Sequence, residues 1–247
     1  MKLNSNIRQT FRVAKIELSS MFYSPVAWLV LIIFALLIGY DYANVFDSQL
    51  RAQSLGSGLW NVSSAIYNSW MTGILKPILR NLYLYIPLIT MGLMSREYQS
   101  GSIKLLYSSP VKNSSIIFGK YLAMMCYGAA LMSIIGLNVL FSWLTVENFQ
   151  ISMLLVGMLG IYLLILAYSA IGLFMSTLTA YQVVAAVGTL AVLAVLNFIG
   201  DVGQGIDFVR DITFWLSIYG RSISFIEGLL PSADVMYFLI VIGLFLS

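Results

Sequence analysis

Residues 151–178 read ISMLLVGMLGIYLLILAYSAIGLFMSTL. The segment carries no charged side chain, and it exceeds the roughly 20 residues that a helix needs to cross the hydrocarbon core of a bilayer. Because lipid offers no hydrogen-bond partner to backbone N–H and C=O groups, a stretch of this kind is stable there only as a helix that pairs those groups internally. The sequence therefore predicts a membrane-spanning helix over residues 151–178.

The composition of the whole chain agrees with a lipid environment. Of 247 residues, 60% are hydrophobic and 9% are charged, against about 25% charged in an average soluble domain. Ten acidic and thirteen basic side chains cannot cover the surface of a soluble protein of this size. We therefore expect an all-α integral membrane protein, with residues 1–247 forming a single transmembrane domain.

Further apolar runs are spaced along the chain like membrane spans. Together they predict six transmembrane helices, at about residues 26–42, 76–94, 116–143, 151–178, 183–199 and 234–247. Two stretches before span six, Ile212–Tyr219 and Ile223–Leu230, are too short to cross, and we expect outer re-entrant helices there. The last run ends after about 13 residues, short of a full crossing, so we expect span six to be truncated and the natural chain to continue.

The first 24 residues are amphipathic. They do not resemble a cleavable signal peptide, because basic residues are spread along them and no small-residue cleavage site follows a short apolar core. Apolar residues recur every three or four positions, and basic residues take the opposite face, which is typical of a helix lying in the membrane interface. A solvated first helix is the alternative. The residues assigned to the interfacial helix are Arg8, Phe11, Arg12, Lys15 and Glu17.

The basic residues predict the orientation. Eight of the thirteen lysines and arginines fall in segments on the same side as the N-terminus, and the acidic residues fall almost wholly on the other side. Because cytoplasmic loops carry an excess of Lys and Arg, we expect a cytoplasmic N-terminus.

Several kinds of chemistry are excluded by residue type. Histidine is absent and Cys126 is the only cysteine, so disulfides, Cys/His zinc sites and Ser-His or Cys-His nucleophile pairs are ruled out. The span interiors hold no charged residue, which argues against ion-coupled carriers. Gly119-Lys120 lacks the glycine spacing of a P-loop, so any ATPase is a separate chain.

Polar and small residues within the spans have structural interpretations. We expect Asn138 and Asn197 to form interhelical hydrogen bonds. Stripes of small residues permit close helix packing, either within one subunit or between subunits, and the sequence does not separate these alternatives. The stripes are Ala129, Ser133 and Gly136 in span three, and Ala185, Gly188, Ala191 and Ala194 in span five.

The predicted cytoplasmic loop between spans two and three carries the most specific motif. Residues 95–111 read SREYQSGSIKLLYSSPV, and residues 117–122 read IFGKYL. Ser102 is placed to cap a short helix that presents Ile103, Leu106 and Tyr107 on one side and ends at Pro110. Such a rigid element would suit a groove on a partner protein, with Glu97 and Lys104 at its rim.

This loop resembles the hallmark of type-2 ABC exporter permeases, which combines an Arg-Glu pair, Gly-Ser, an apolar helix, a Ser-Pro stop and a Gly-Lys entry into span three. The residues that carry the resemblance to this ATPase-coupling loop are Arg96, Glu97, Gly101, Ser102, Ile103, Lys104, Leu106, Tyr107 and Pro110. Residues 15–25 and 221–228 are most similar to the gliding-motility-type branch of this family. Tyr98-Gln99-Ser100 departs from the family pattern, which usually has a charged pair there.

The resemblance implies a transmembrane subunit of an exporter in the bacterial cytoplasmic (inner) membrane. Its partners would be a cytoplasmic ABC ATPase dimer, a second permease subunit and membrane lipid, with no nucleic acid. The chain itself would be no enzyme and hold no cofactor, since ATP and Mg²⁺ would bind the ATPase. A non-transporting subunit that transmits force or anchors partners is the alternative. A passive channel is disfavoured because no polar stripe lines any helix.

Overall fold

The computed structural model describes residues 2–54, 71–104, 111–145, 151–201, 213 and 216–247. Over these ranges the chain is helical and contains no strand. The helices are α1 (Lys2–Tyr23), α2 (Pro25–Ser54), α3 (Lys76–Thr90), α4 (Ser95–Ser100), α5 (Asn113–Thr145), α6 (Ile151–Thr177), α7 (Gln182–Phe198), α8 (Ile218–Ile226) and α9 (Ser232–Leu246). A π-helical turn, Met71–Leu75, precedes α3, and a 3-10 turn, Ile199–Asp201, follows α7.

Within the described ranges, four helical segments are long and apolar enough to cross a membrane: Pro25–Ser48, Gly73–Ser100, Asn113–Leu144 and Ile151–Thr177. Gln182–Phe198 and Ser232–Leu246 are apolar but shorter. The predicted all-α membrane class is thus confirmed. The count of six spans stays a prediction, since the two shorter helices fall below the usual crossing length.

Helix α6 lies at the centre of the bundle and contacts α3, α5, α7, α8 and α9. Glycines let its neighbours approach. A side chain at Gly160 would overlap Phe225 of α8, and one at Gly172 would overlap Thr90 of α3. The uniformly apolar sequence of α6 therefore serves packing on several sides, as expected of a helix surrounded by others.

The bundle has two distinguishable ends. Helix α3 runs from Lys76 to Thr90 and ends next to α4. Helix α7 runs from Gln182 to Phe198 and begins next to α4, because Gln182 Nε2 donates a hydrogen bond to Gln99 Oε1 at 3.3 Å. We call the end that holds α4 the α4 end, and the end that holds Lys76, Phe198 and α8 the distal end.

The first long helix extends beyond the predicted span. The span is predicted to end at about residue 42, and α2 continues past Asp41 to Ser54. A carboxylate ends an apolar run without breaking the backbone hydrogen bonds of a helix. Further along α2, Asp47 and Arg51 form an i,i+4 ion pair of 2.9 Å on the helix surface, which favours continuation of the helix.

The region before the last helix also differs. Two re-entrant stretches were expected, separated between Tyr219 and Ile223, whereas α8 runs unbroken across that gap. Ser217 caps it by accepting a hydrogen bond from Gly220 N at 3.0 Å. Arg221, which interrupts the apolar pattern, is neutralised by Asp234 of α9 at 2.8 Å.

The polar and small residues of the spans match the predictions only in part. Asn197 reaches other helices as expected, but Asn138 does not, because its Nδ2 donates to Ile134 O of the same helix at 2.9 Å. The small-residue stripe of α7 packs against the bundle only in part, since Ala185 is buried and Ala191 is exposed. In α5, Ala129 and Ser133 are exposed.

Candidate functional site

The α4 loop, which we define as residues 91–104, is the part of the predicted site that the structure describes. A turn over Met91–Met94 leads into α4, and Gly101, with a φ of 72°, ends the helix in the left-handed region that favours glycine. The sequence predicted a helix beginning after Ser102, and Ile103 and Lys104 are helical, whereas residues 105–110 lie outside the described residues. The sequence did not predict α4, which contains Arg96 and Glu97 and ends before Gly101.

Ser176, at the end of α6, fixes the start of α4. Its Oγ accepts hydrogen bonds from Met94 N at 3.0 Å and Ser95 N at 3.1 Å, and donates to Met91 O at 3.0 Å. Ser176 is fully buried. Because the first N–H groups of a helix have no partner within it, this hydroxyl takes the place of a local N-cap. The central helix therefore holds the α4 loop in position.

A buried ammonium group joins the loop to two other helices. Lys120 of α5 is 1% exposed. Its Nζ lies 2.8 Å from Glu97 Oε1 of α4, 2.9 Å from Glu17 Oε2 of α1 and 2.6 Å from Leu93 O in the turn. These three acceptors satisfy all three N–H donors of the ammonium. We call Lys120, Glu97 and Glu17 the ion cluster.

The ion cluster is costly to disturb. Buried ion pairs are stable only when their geometry satisfies both partners, and removing one partner leaves a charge without compensation. Glu97 Oε2 is buried and has no hydrogen-bond partner in the described part of the chain. The second oxygen of Glu97 thus already carries a desolvation cost. The cluster therefore ties α1, α4 and α5 into one unit.

Close contact between α1 and α5 reinforces this unit. A Cβ added at Gly119 would lie 2.7 Å from Val13 Cβ and 3.0 Å from Thr10 O. Further along, the Phe22 and Tyr127 rings lie 6.0 Å apart. The glycine before Lys120 therefore provides the space in which α1 lies against α5.

Residues 2–23 form the helix α1, and its position in the membrane interface stays a prediction. Ala14 and Met21 are buried, whereas Arg8, Arg12 and Lys15 are exposed. The expected apolar face is only partly covered, because Phe11 is 58% exposed. Glu17, predicted as part of the same surface, instead turns toward Lys120.

Of the loop side chains that the sequence predicted to face a partner, one is buried and others are exposed. Ile103 packs into the core of the bundle, so it anchors the loop and does not present itself to a partner groove. Arg96 and Lys104 are exposed. Ser102 Oγ pairs with Ser100 Oγ at 2.8 Å, at the end of α4. Leu106, Tyr107 and Pro110 lie outside the described residues.

Sequence reasoning missed Lys120 and Ser176. The sequence placed Lys120 among the basic residues of the inner side and in the Gly-Lys entry into span three, but it did not indicate that Lys120 pairs with Glu17 and Glu97. One feature of the sequence pointed to the ion cluster. Glu17 and Glu97 are the acidic residues predicted on the inner side, so they are the carboxylates available there to pair with a buried cation. Among the described residues, no group of His, Cys, Asp or Glu is placed to hold a metal ion.

Comparison with known proteins gives one family. Residues 11–206 match the family described as ABC-2 family transporter protein. The match runs from the middle of α1 to just beyond α7 and includes the ion cluster. A search of curated proteins found no match.

Proposed function

This chain belongs to the ABC-2 transporter family, and on that premise we propose that it couples ATP hydrolysis on a separate ABC ATPase to the export of a substrate. Membership makes it a multi-pass permease subunit of an ABC transporter. The coupling, and the residues that perform it, are our proposal.

The ion cluster is the observation that carries the proposal. An ATPase that pushes on the α4 loop needs a path by which the push reaches the membrane helices. Lys120 supplies one, because a single buried ammonium binds α4, α1 and the turn at Leu93 to the start of α5. Ser176 supplies a second, to the central helix α6. Movement of α4 would therefore displace α1, α5 and α6 together.

The docking surface would be the exposed part of the loop. Arg96 and Lys104 are exposed at the α4 end, and Leu106, Tyr107 and Pro110 follow in the sequence. We propose that these residues contact an ATPase dimer that holds ATP and Mg²⁺. A second permease subunit would complete the membrane part, and lipid would surround it.

We propose that the α4 end faces the cytoplasm of a bacterium and that the chain lies in the inner membrane. The positive-inside bias supports this orientation. A cysteine introduced at Ser108 should react only with reagent on the cytoplasmic side, and one at Asp207 only with reagent outside, both in a variant whose exposed Cys126 is replaced by serine. The reverse pattern would contradict the orientation.

The function is tested by purifying the chain from its native membrane under mild conditions. We expect an ABC ATPase to co-purify and the complex to hydrolyse ATP. Lipid and glycan analysis of the bound material would then identify substrates for transport assays in vesicles. ATP hydrolysis without movement of any such substrate would favour the non-transporting alternative, and purification without an ATPase would contradict the coupling proposal.

A further inference from the structure

A cleft of 610 Å³ opens at the distal end, between α3, α7 and α8. Its volume is that of a small-ligand site. The lining side chains that matter here are two cations, an amide and three aromatic rings: Lys76, Arg80, Asn81, Tyr83, Phe198 and Tyr219. None of them takes part in the ion cluster or the α4 loop.

The cleft concentrates positive charge. Lys76 and Arg80 are one turn apart on α3, and like charges at that spacing repel each other. Both lie near the start of α3. In the described part of the chain neither cation forms an ion pair and no acidic residue lines the cleft. Asp41 lines the neighbouring groove, which shares Asn81, but forms no ion pair with either cation.

A buried polar network supports the backbone beneath this charge. Asn197 is 3% exposed. Its Oδ1 accepts a hydrogen bond from Tyr168 Oη at 3.4 Å, and its Nδ2 donates to Arg80 O at 3.4 Å. The Tyr83 and Phe198 rings meet edge to face with centroids 5.6 Å apart. Both walls of the cleft are thus held by contacts between α3 and α7.

The chemistry of the lining selects the ligand. Arg and Lys beside an amide are donors suited to phosphate oxygens. Aromatic side chains next to such donors are typical of the headgroup layer of a membrane, and the cleft lies at the start of the candidate span Gly73–Ser100. We propose that the cleft binds a phosphate-bearing anion at the distal end of the bundle. This requires only that the chain spans a membrane, so it does not depend on coupling to an ATPase.

Titrating the purified chain in neutral detergent tests the proposal. The probes are short-chain phosphatidylglycerol, short-chain diacylglycerol as its phosphate-free counterpart, and inorganic phosphate. We expect phosphatidylglycerol to bind and diacylglycerol not to bind. Competition by inorganic phosphate would show that the phosphate group alone is recognised, and binding without competition would show that the lipid headgroup is the source. Equal binding of phosphatidylglycerol and diacylglycerol would overturn the proposal.

Variants locate the site. Lys76→Gln with Arg80→Gln should raise the Kd for phosphatidylglycerol by about tenfold or more, because two charge-assisted contacts are lost. Arg51→Gln with Lys112→Gln removes two cations that do not line the cleft and should leave the Kd within about twofold. The exchange Lys76→Arg with Arg80→Lys keeps both charges and should retain binding. An unchanged Kd in the variant with Lys76→Gln and Arg80→Gln would overturn the proposal. An unchanged circular dichroism spectrum would show that this variant folds.

Discussion

The buried ammonium of Lys120 on α5 forms an ion pair with Glu97 of α4, with 2.8 Å between Nζ and Oε1. The same ammonium also binds Glu17 of α1. This ion pair therefore connects the α4 loop, which we propose as the ATPase contact, to the membrane helix α5. Loss of the Lys120 ammonium would leave the carboxylates of Glu97 and Glu17 without their cation. This relationship gives the proposed coupling a physical path.

Replacement of Lys120 should destabilise the protein. We expect Lys120→Met to lower the free energy of unfolding in mixed micelles by about 3–5 kcal/mol, because Glu97 and Glu17 lose their buried counter-ion. Lys112→Met is the control, since Lys112 is exposed, and it should behave like wild type. Adding Glu97→Gln and Glu17→Gln to Lys120→Met should recover part of the loss. No recovery would show that charge compensation is not the reason.

Removal of the Ser176 hydroxyl should loosen the α4 loop. Ser176→Ala deletes an acceptor for two backbone N–H groups, a cost of about 1–3 kcal/mol. Hydrogen exchange over residues 91–104 should then be roughly tenfold faster, if exchange follows local opening. Ser133→Ala, at an exposed serine that bonds within its own helix, should leave exchange there unchanged. Equal exchange in both variants would mean that α4 is held by other contacts.

A methyl group at Gly119 should separate α1 from α5. In Gly119→Ala the added Cβ would overlap Val13 and press on Thr10 O, so hydrogen exchange over residues 8–23 should increase. Gly39→Ala is the matched control, because a Cβ there meets nothing within 4 Å. Unchanged protection of α1 in Gly119→Ala would show that the helices can shift apart without loss.

The loop should bind the ATPase mainly through apolar contact. Leu106→Ala should lose on the order of 1–3 kcal/mol of docking energy, measured as the Kd for the purified ATPase. Lys104→Ala should instead change the salt dependence of binding, because rim charges act over longer range. Wild-type affinity in Leu106→Ala would show that the apolar side of the loop does not dock.

Hydropathy predicted the membrane class because each long helix must be apolar where lipid surrounds it, as α6 is. It did not predict the end of α2, because Asp41 changes polarity without affecting backbone pairing. It also did not predict the role of Lys120. Glu17 lies 103 residues away in sequence, and no local pattern records which distant carboxylate a lysine will meet. Ser176 was missed for the same reason, since it caps a helix from a different part of the chain.

Photo-cross-linking from the loop tests the central claim most directly. A benzoylphenylalanine placed at Lys104, an exposed position next to Ile103, is irradiated in the complex with the ATPase, and the same probe at Arg80 of the distal end serves as comparison. We predict a covalent adduct with the ATPase from position 104 and none from position 80. An adduct from position 80 with none from position 104 would contradict the proposal that the ATPase acts on this chain through the α4 loop.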